Sequence, residues 1–174
     1  METIYLNSKI FTRMLQEDKV SQQFLSMQIR PATKNDAKAI AEIVKRHFAT
    51  DYMGFPTFDE SYIKNKMRND WFLVAENDGK IIGCIRLALV DFDLADIRTL
   101  CVDEEFRGKG IGQKLLIEGL QLMHEKNMRK LIARVKADNA SGIKFFEKND
   151  FKQEGYFKEH YRKGIDVVQF YRFL

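Results

Sequence analysis

Leu100-Cys101-Val102-Asp103-Glu104-Glu105-Phe106-Arg107-Gly108-Lys109-Gly110-Ile111-Gly112 is the stretch whose reading decides the fold. An apolar strand ends at Val102. Arg107 and three glycines follow, and then Ile111, Leu115, Leu116, Leu122 and Met123 recur at helical spacing over 109–126. Glycines let successive backbone N–H groups turn toward one point, and the positive end of the next helix adds to them. The turn therefore reads as an anion cradle, to which Arg107 adds an always-charged bidentate donor. The predicted ligand group is a pyrophosphate. A P-loop would need Ser or Thr after Gly-Lys, but Gly110 follows Lys109. A dinucleotide loop would place its third glycine at Gln113. Taken alone, the stretch also fits a tight strand-to-helix turn with no ligand.

Outward from it, apolar periodicity and turn residues predict strands over 28–32, 71–76, 80–90, 96–102, 131–137, 151–157 and 167–173. Helices are predicted after Thr33, near Asp59, over 109–126 and over 139–148. Thr33 and Asp36 have capping-box spacing, and Ile40, Ile43, Val44 and Phe48 make an apolar stripe. Asn77-Asp78-Gly79 is a tight-turn signal. The order is βααβββαβαββ, an α/β layer structure with helices on both sheet faces.

A second run, Asn139-Ala140-Ser141-Gly142-Ile143-Lys144-Phe145-Phe146-Glu147-Lys148-Asn149-Asp150-Phe151, stands at the matching distance downstream. With Arg107, Gly110 and Gly112 it resembles the GNAT superfamily of N-acetyltransferases, whose cofactor signature is Arg/Gln-x-x-Gly-x-Gly/Ala after a strand and whose later run is N-x-x-A-x-x-F-Y-E-K-x-G-F. The likeness covers Met27 to the end. It implies a mixed, mostly antiparallel sheet and an N-acetyltransferase domain over 27–174, with residues 1–26 an appended helix or a partly mobile arm. Met27 is a candidate natural start.

The resemblance implies acetyl-CoA as cosubstrate. The backbone of Leu100, Cys101 and Val102 would pair with the pantetheine arm. Amides of Arg107, Gly108, Lys109, Gly110, Ile111 and Gly112 would hold the pyrophosphate. Asn139 would bind the arm or the diphosphate, besides capping its helix, and Lys148 would reach the nucleotide phosphates or stand as a solvated lysine. An amine would attack the thioester directly, with no metal; His47, His124 and His160 are scattered. Deprotonating an amine of pKa about 10.4 at pH 7 costs about 4.6 kcal/mol. An amide of residues 100–102 is the candidate oxyanion donor.

Asp96 is the candidate base. Strand alternation sets it on one face with Arg98, Leu100 and Val102, and a structural ion pair with Arg98 or another base is its alternative role. Phe146 departs from the family's usual Tyr, so it cannot protonate the leaving thiolate and counts only as a cofactor-side residue. Tyr161 and Tyr156 are the substitute acids. Asp150 replaces a glycine, which suggests a changed turn before Phe151.

Asp91, Asp93 and Asp96 form an acidic rim that would draw a cationic amine, or a merely solvated turn. The loop 48–58, with Asp51, Tyr52, Phe55, Pro56 and Phe58, would cover the acceptor, with His160 and Tyr161 facing it. The expected acceptor is the primary amine of a small metabolite or amino-acid-like molecule, or else a peptide amine, as in a protein N-terminus or lysine. From another class, a CoA-binding sensor without turnover fits Phe146.

The composition agrees. In 174 residues, 29 Lys+Arg against 25 Asp+Glu leave +4, which suits a phosphate-bearing ligand; basic residues interspersed with acids carry no nucleic-acid motif. Cys84 and Cys101 cannot make a disulfide framework and read as small apolar residues in a reducing cytoplasm. No apolar run is long enough to span a membrane, and charges spread through residues 1–26 argue against a secretory signal. Residues 167–173, read as an edge strand, would offer a homodimer contact.

Overall fold

The computed structural model describes residues 26–47 and 58–174. Strand β1 (Gln28–Pro31) leads through one 3-10 turn (Lys34–Asp36) into α1 (Ala37–His47), and α2 (Glu60–Lys66) precedes β2 (Trp71–Asn77), β3 (Lys80–Asp91) and β4 (Leu94–Val102). Then come α3 (Ile111–Glu125), β5 (Lys130–Lys136), α4 (Ala140–Lys148), β6 (Lys152–Phe157) and β7 (Val167–Phe173). Over the described residues this is the expected order. Phe48, most of the loop 48–58 and residues 1–25 lie outside them.

Local signals account for the element ends. The Thr33 amide (2.7 Å) and hydroxyl (3.0 Å) both donate to Asp36 Oδ2, and Arg30 grips the same carboxylate through two 2.8 Å bonds, tying β1 to the start of α1. Asp59 caps α2 by accepting from the Tyr62 amide at 2.8 Å. Asp78 (φ +51°) and Gly79 (φ +75°) are both left-handed, as the tightest hairpin turn requires. Asp150 also stands at φ +63°, so the turn before Phe151 keeps a glycine-like conformation on an aspartate.

Seven strands form one sheet in the order β1-β2-β3-β4-β5-β7-β6. All neighbours are antiparallel except β4 and β5, which are parallel. Strand 167–173 is thus not an edge: β7 lies between β5 and β6, and β6 is the edge. Paired on both sides, it has no free ladder to offer a second copy. One apolar cluster joins the sheet to α3 and α4 through Ile85, Leu87, Ile97, Leu115, Leu131, Phe146 and Phe170. On the other face, Ile40, Ile43 and Val44 of α1 and Ile63 of α2 pack on Phe72, Val74, Cys84 and Cys101. Those helices cover β2, β3 and β4; among the described residues no helix covers β5, β7 and β6 on that side.

Candidate active site

The parallel pair sets the geometry. β4 and β5 are paired only from Leu94↔Lys130 to Ile97↔Ala133. Beyond that, residues 98–102 and 134–136 run on without a shared ladder, and a gap opens between them. The break coincides with an irregularity: Arg86 faces Thr99 and Leu87 faces Ile97, so Arg98 is an extra residue in β4, a bulge.

The bulge reverses the side-chain alternation. Ala95 and Ile97 belong to the α3 cluster, and Leu100 and Val102 pack against it, whereas Cys101 joins the α1 cluster. Asp96 therefore points to the α1 side, opposite Leu100 and Val102, contrary to the expectation from regular pleating. Arg98, bulged, stays with Asp96.

Backbone directions follow from one bond. The Asp103 amide donates to Ile82 O on β3 at 2.8 Å, so Cys101, two residues back, also turns its backbone toward β3. Leu100 and Val102 then direct theirs into the gap. The Val102 carbonyl, facing that way, accepts from Arg107 Nε at 3.0 Å. The backbone of Cys101 is therefore spent inside the sheet. Its thiol stands 3.5 Å from that of Cys84, and this hydrogen bond, with burial, pushes the Cys101 pKa far up. Both cysteines are free.

At the mouth of the gap the chain enters α3 through Gly108 (φ +74°) and Gly110 (φ +79°), conformations that a Cβ resists. Among the described residues a Cβ at either would meet nothing within 4 Å beyond its chain neighbours, so the space beside the backbone is open to that extent. Gly110 is the N-cap residue and no side chain caps the helix. The first intrahelical bond runs from the Lys114 amide to Gly110 O at 3.0 Å, so the amides of Ile111, Gly112 and Gln113 precede it and have no helical acceptor. A Cβ on Gly112 would make ordinary contact with Phe145 at 3.6 Å. Arg107 also reaches His47 Nδ1 at 3.3 Å, and desolvation, then the Arg107 charge, lower the His47 pKa. The ammonium of Lys109 lies 5.3 Å over the Phe106 ring.

Asn139 follows the C-terminal end of β5, beside the same mouth, and its Oδ1 caps α4 through the Gly142 amide at 3.0 Å. Lys148 is the exposed last residue of α4, at the far end from Asn139. Phe146 is 7% exposed and packed among Phe145 (5.4 Å), Phe151 (5.1 Å) and Phe170 (5.9 Å); it is a core residue. The loop after β6 returns to this end of the sheet, since the Ala137 amide donates to Asp166 O at 3.0 Å. It carries Tyr161, whose ring packs edge-on against His160 at 4.6 Å. The Tyr156 hydroxyl donates to Asp166, which raises its pKa and occupies its proton.

Asp96 is 1% exposed. Its Oδ2 meets Arg134 Nη1 at 2.9 Å and Arg98 Nη1 at 3.2 Å, while buried Oδ1 has no partner. Burial raises its pKa and the two arginines offset part of that rise. The acidic rim does not hold as a cation trap: Asp93 pairs with Arg129 at 2.9 Å and Asp96 with two guanidiniums. The pairing of Asp96 with Arg98 matches its alternative role in the sequence, whereas Arg134 and the bulge at Arg98 were not anticipated. The signal for Arg134 was present, a lone arginine inside the apolar run Leu131-Ile132-Ala133-Arg134-Val135. The Arg98 bulge had none. Among the described residues no three His, Cys, Asp or Glu side chains are grouped to hold a metal.

A separate cavity of about 660 Å³ lies between α1 and the β2–β3 turn, lined by Glu42, Arg46, Lys80, Asp103 and Glu105 among others. Its cations are spent internally, Arg46 on Asp103 at 2.9 Å and Lys80 on Glu105 at 2.8 Å.

Residues 39–151 match the family described as acetyltransferase (GNAT) family. The chain is similar to the spermidine N(1)-acetyltransferase of Thermoplasma acidophilum, 27% identical over 147 residues, spanning 75% of this chain and 91% of that protein. Its fold is similar to that of Ard1 from Thermoplasma volcanium (TM-score 0.76, 24% identity, 86% of this chain and 99% of that one). It is also similar to PaiA N-acetyltransferase from Thermoplasma acidophilum in complex with coenzyme A (TM-score 0.72, 23% identity, 86% and 100%).

Proposed function

Because the chain belongs to the acetyltransferase (GNAT) family, an enzyme family that draws on acetyl-CoA, we propose that it carries the acetyl group to the primary amine of a small, amino-acid-like metabolite. The observation that supports this site most directly is the junction of β4 and α3. Two left-handed glycines with open space beside them feed an uncapped helix, next to strand backbone facing a gap. That is a cradle for a diphosphate continued by an edge for an extended amide chain.

In this reading the amides of Ile111 and Gly112, with Gly108, Lys109 and Gly110 ahead of them, hold the pyrophosphate. Leu100 and Val102 pair with the pantetheine arm, and Cys101 does not. Arg107 leaves the Val102 carbonyl as the arm arrives and turns toward the phosphates. Asn139 flanks the arm from the β5 side. Phe146 supports this wall from the core, and Lys148, where it acts, acts only at the nucleotide end.

The bound thioester supplies an already activated acyl group. The acceptor nitrogen attacks its carbonyl carbon; a C–N bond forms, the C–S bond breaks and the thiol leaves with one proton. The Leu100 amide, directed into the gap, is the donor for the developing oxyanion. Asp96 accepts the amine proton at its unpartnered Oδ1, through a water because its surface is closed. Burial raises its pKa, which makes it a better base than an exposed aspartate. Tyr161, at the mouth, is the acid for the thiolate; a thiol of pKa about 8.5 needs that help only modestly.

Thiol release from acetyl-CoA, measured over a panel of small amines, amino acids and short peptides, tests the reading. Turnover with small acceptors supports it. Turnover confined to peptides moves the acceptor to a protein amine. CoA binding with no release on any acceptor would leave a sensor.

A further inference from the structure

The side of the gap from which an acceptor can approach is set by the helices. α3 and α4 cover one sheet face, and on the other α1 and α2 cover only β2, β3 and β4. Among the described residues no helix covers that face over β5 and β7, next to the bulge at Arg98 in β4.

The charges there do not balance. Asp96 is a single carboxylate facing two guanidiniums, and both arginines use the same oxygen, Oδ2. Arg86, the third arginine near Asp96, is neutralised by Asp70 at 2.7 Å and holds Tyr62 Oη at 3.1 Å. Arg134 is braced by Gln169, whose Oε1 accepts from its Nε at 2.9 Å. Gln169 in turn donates to Glu154 at 2.9 Å, and Glu154 also pairs with Lys130. Among the described residues Arg98 pairs only with Asp96, and its side chain is 40% exposed. The set of Asp96, Arg98, Arg134, Arg86, Asp70, Lys130 and Glu154 thus holds four cations against three anions. The surplus charge is on Arg98, whose other guanidinium donors have no partner among the described residues. Beside it, Asp96 Oδ1 is a buried acceptor with none, a state that is unfavourable unless a donor arrives.

We infer that Arg98 selects an acceptor that carries a carboxylate near its reactive amine: the guanidinium binds the carboxylate while the amine side donates, through a water, to Asp96 Oδ1. A bulged arginine and an orphaned carboxylate oxygen on one strand complement an α-amino acid, or a close analogue, and repel a polyamine. This rests on the acetyl-transfer reading and narrows its acceptor. It replaces the acidic rim, which would have chosen the opposite charge.

Two measurements test it. The first compares thiol release with L-amino acids, their α-amides and spermidine. The free acids are expected to exceed their amides in kcat/KM by tenfold or more, the worth of one charge-assisted contact. Arg98→Gln is expected to bring each acid down to its amide while leaving the CoA affinity unchanged. The second is calorimetric titration of the CoA-loaded protein with N-acetyl-L-amino acids and their amides, which needs no turnover. Tighter binding of the acids, lost in Arg98→Gln, supports the role of Arg98 even if no assay acceptor is consumed. Equal binding of acids and amides, or preference for spermidine, overturns it while acetyl transfer itself stands. Failure of CoA to bind at all would instead sink the transferase reading.

Discussion

Substituting alanine for Gly110 perturbs the site most selectively. Gly110 stands at φ +79°, and a Cβ there meets nothing within 4 Å among the described residues beyond its chain neighbours. Within the protein the cost is therefore conformational, roughly 1–2 kcal/mol for a left-handed residue with a side chain. For a chain of this length that is about 2–4 °C of Tm per kcal/mol. Gly79 provides a matched control: φ +75°, likewise open, but in the β2–β3 turn. Gly79→Ala and Gly110→Ala should lose similar Tm in calorimetry. They should differ in CoA affinity, because in the proposed cradle the diphosphate lies in the open space at Gly110. A methyl group there displaces the ligand from the amides of Ile111 and Gly112, and losing one charge-assisted bond of about 1.5–3 kcal/mol weakens binding at least tenfold. Gly79→Ala should bind as the parent does. If Gly110→Ala loses Tm but binds CoA with unchanged affinity, the phosphate cradle is wrong.

Four further outcomes can be checked. Asp150→Gly relieves a left-handed aspartate (φ +63°) and should raise stability by about 0.5–1 kcal/mol in urea unfolding. Asp36, held down to about 2 by the Arg30 hydrogen bonds, contributes stability that is full above about pH 4 and lost as pH falls from 4 toward 2; Asp36→Asn should cost about 2 kcal/mol at pH 7 and flatten that acid limb. Asp96→Asn should slow thiol release and remove an acid-side limb lying above the ordinary carboxylate range, because burial raises Asp96 and a base must be ionised; an unshifted profile would dismiss it as the base. Phe146→Tyr must house a hydroxyl among Phe145, Phe151 and Phe170 and should lower Tm with CoA binding intact, whereas a faster reaction at unchanged Tm would show the hydroxyl reaching the gap.

The features legible in the sequence are those encoded within a few residues. Thr33 with Asp36, Asp78 with Gly79, and Arg107 through Gly112 each carry their geometry in short-range chemistry, and each stands where it was expected. Strand order is a long-range property. Nothing in 167–173 states its neighbours, although consecutive buried Val167 and Val168 are the mark of an interior strand rather than an edge. The face of Asp96 was misassigned because alternation assumes an unbroken pleat, and one inserted residue at Arg98 reverses it. The acidic rim failed for a related reason: its partners, Arg129 and Arg134, come from β5 and the turn before it, more than thirty residues downstream. The resemblance carries Leu100, Cys101 and Val102 over together, whereas neighbouring backbone groups in a strand point opposite ways and Cys101 turns toward β3.

The central claim is tested most directly by following backbone amide resonances during titration with coenzyme A. The amides of Leu100, Val102, Ile111 and Gly112 should move together and saturate at one concentration, with Cys101, bonded into β3, moving much less. Shifts confined to other surfaces, such as the cavity lined by Glu42, Arg46 and Lys80, would contradict the account.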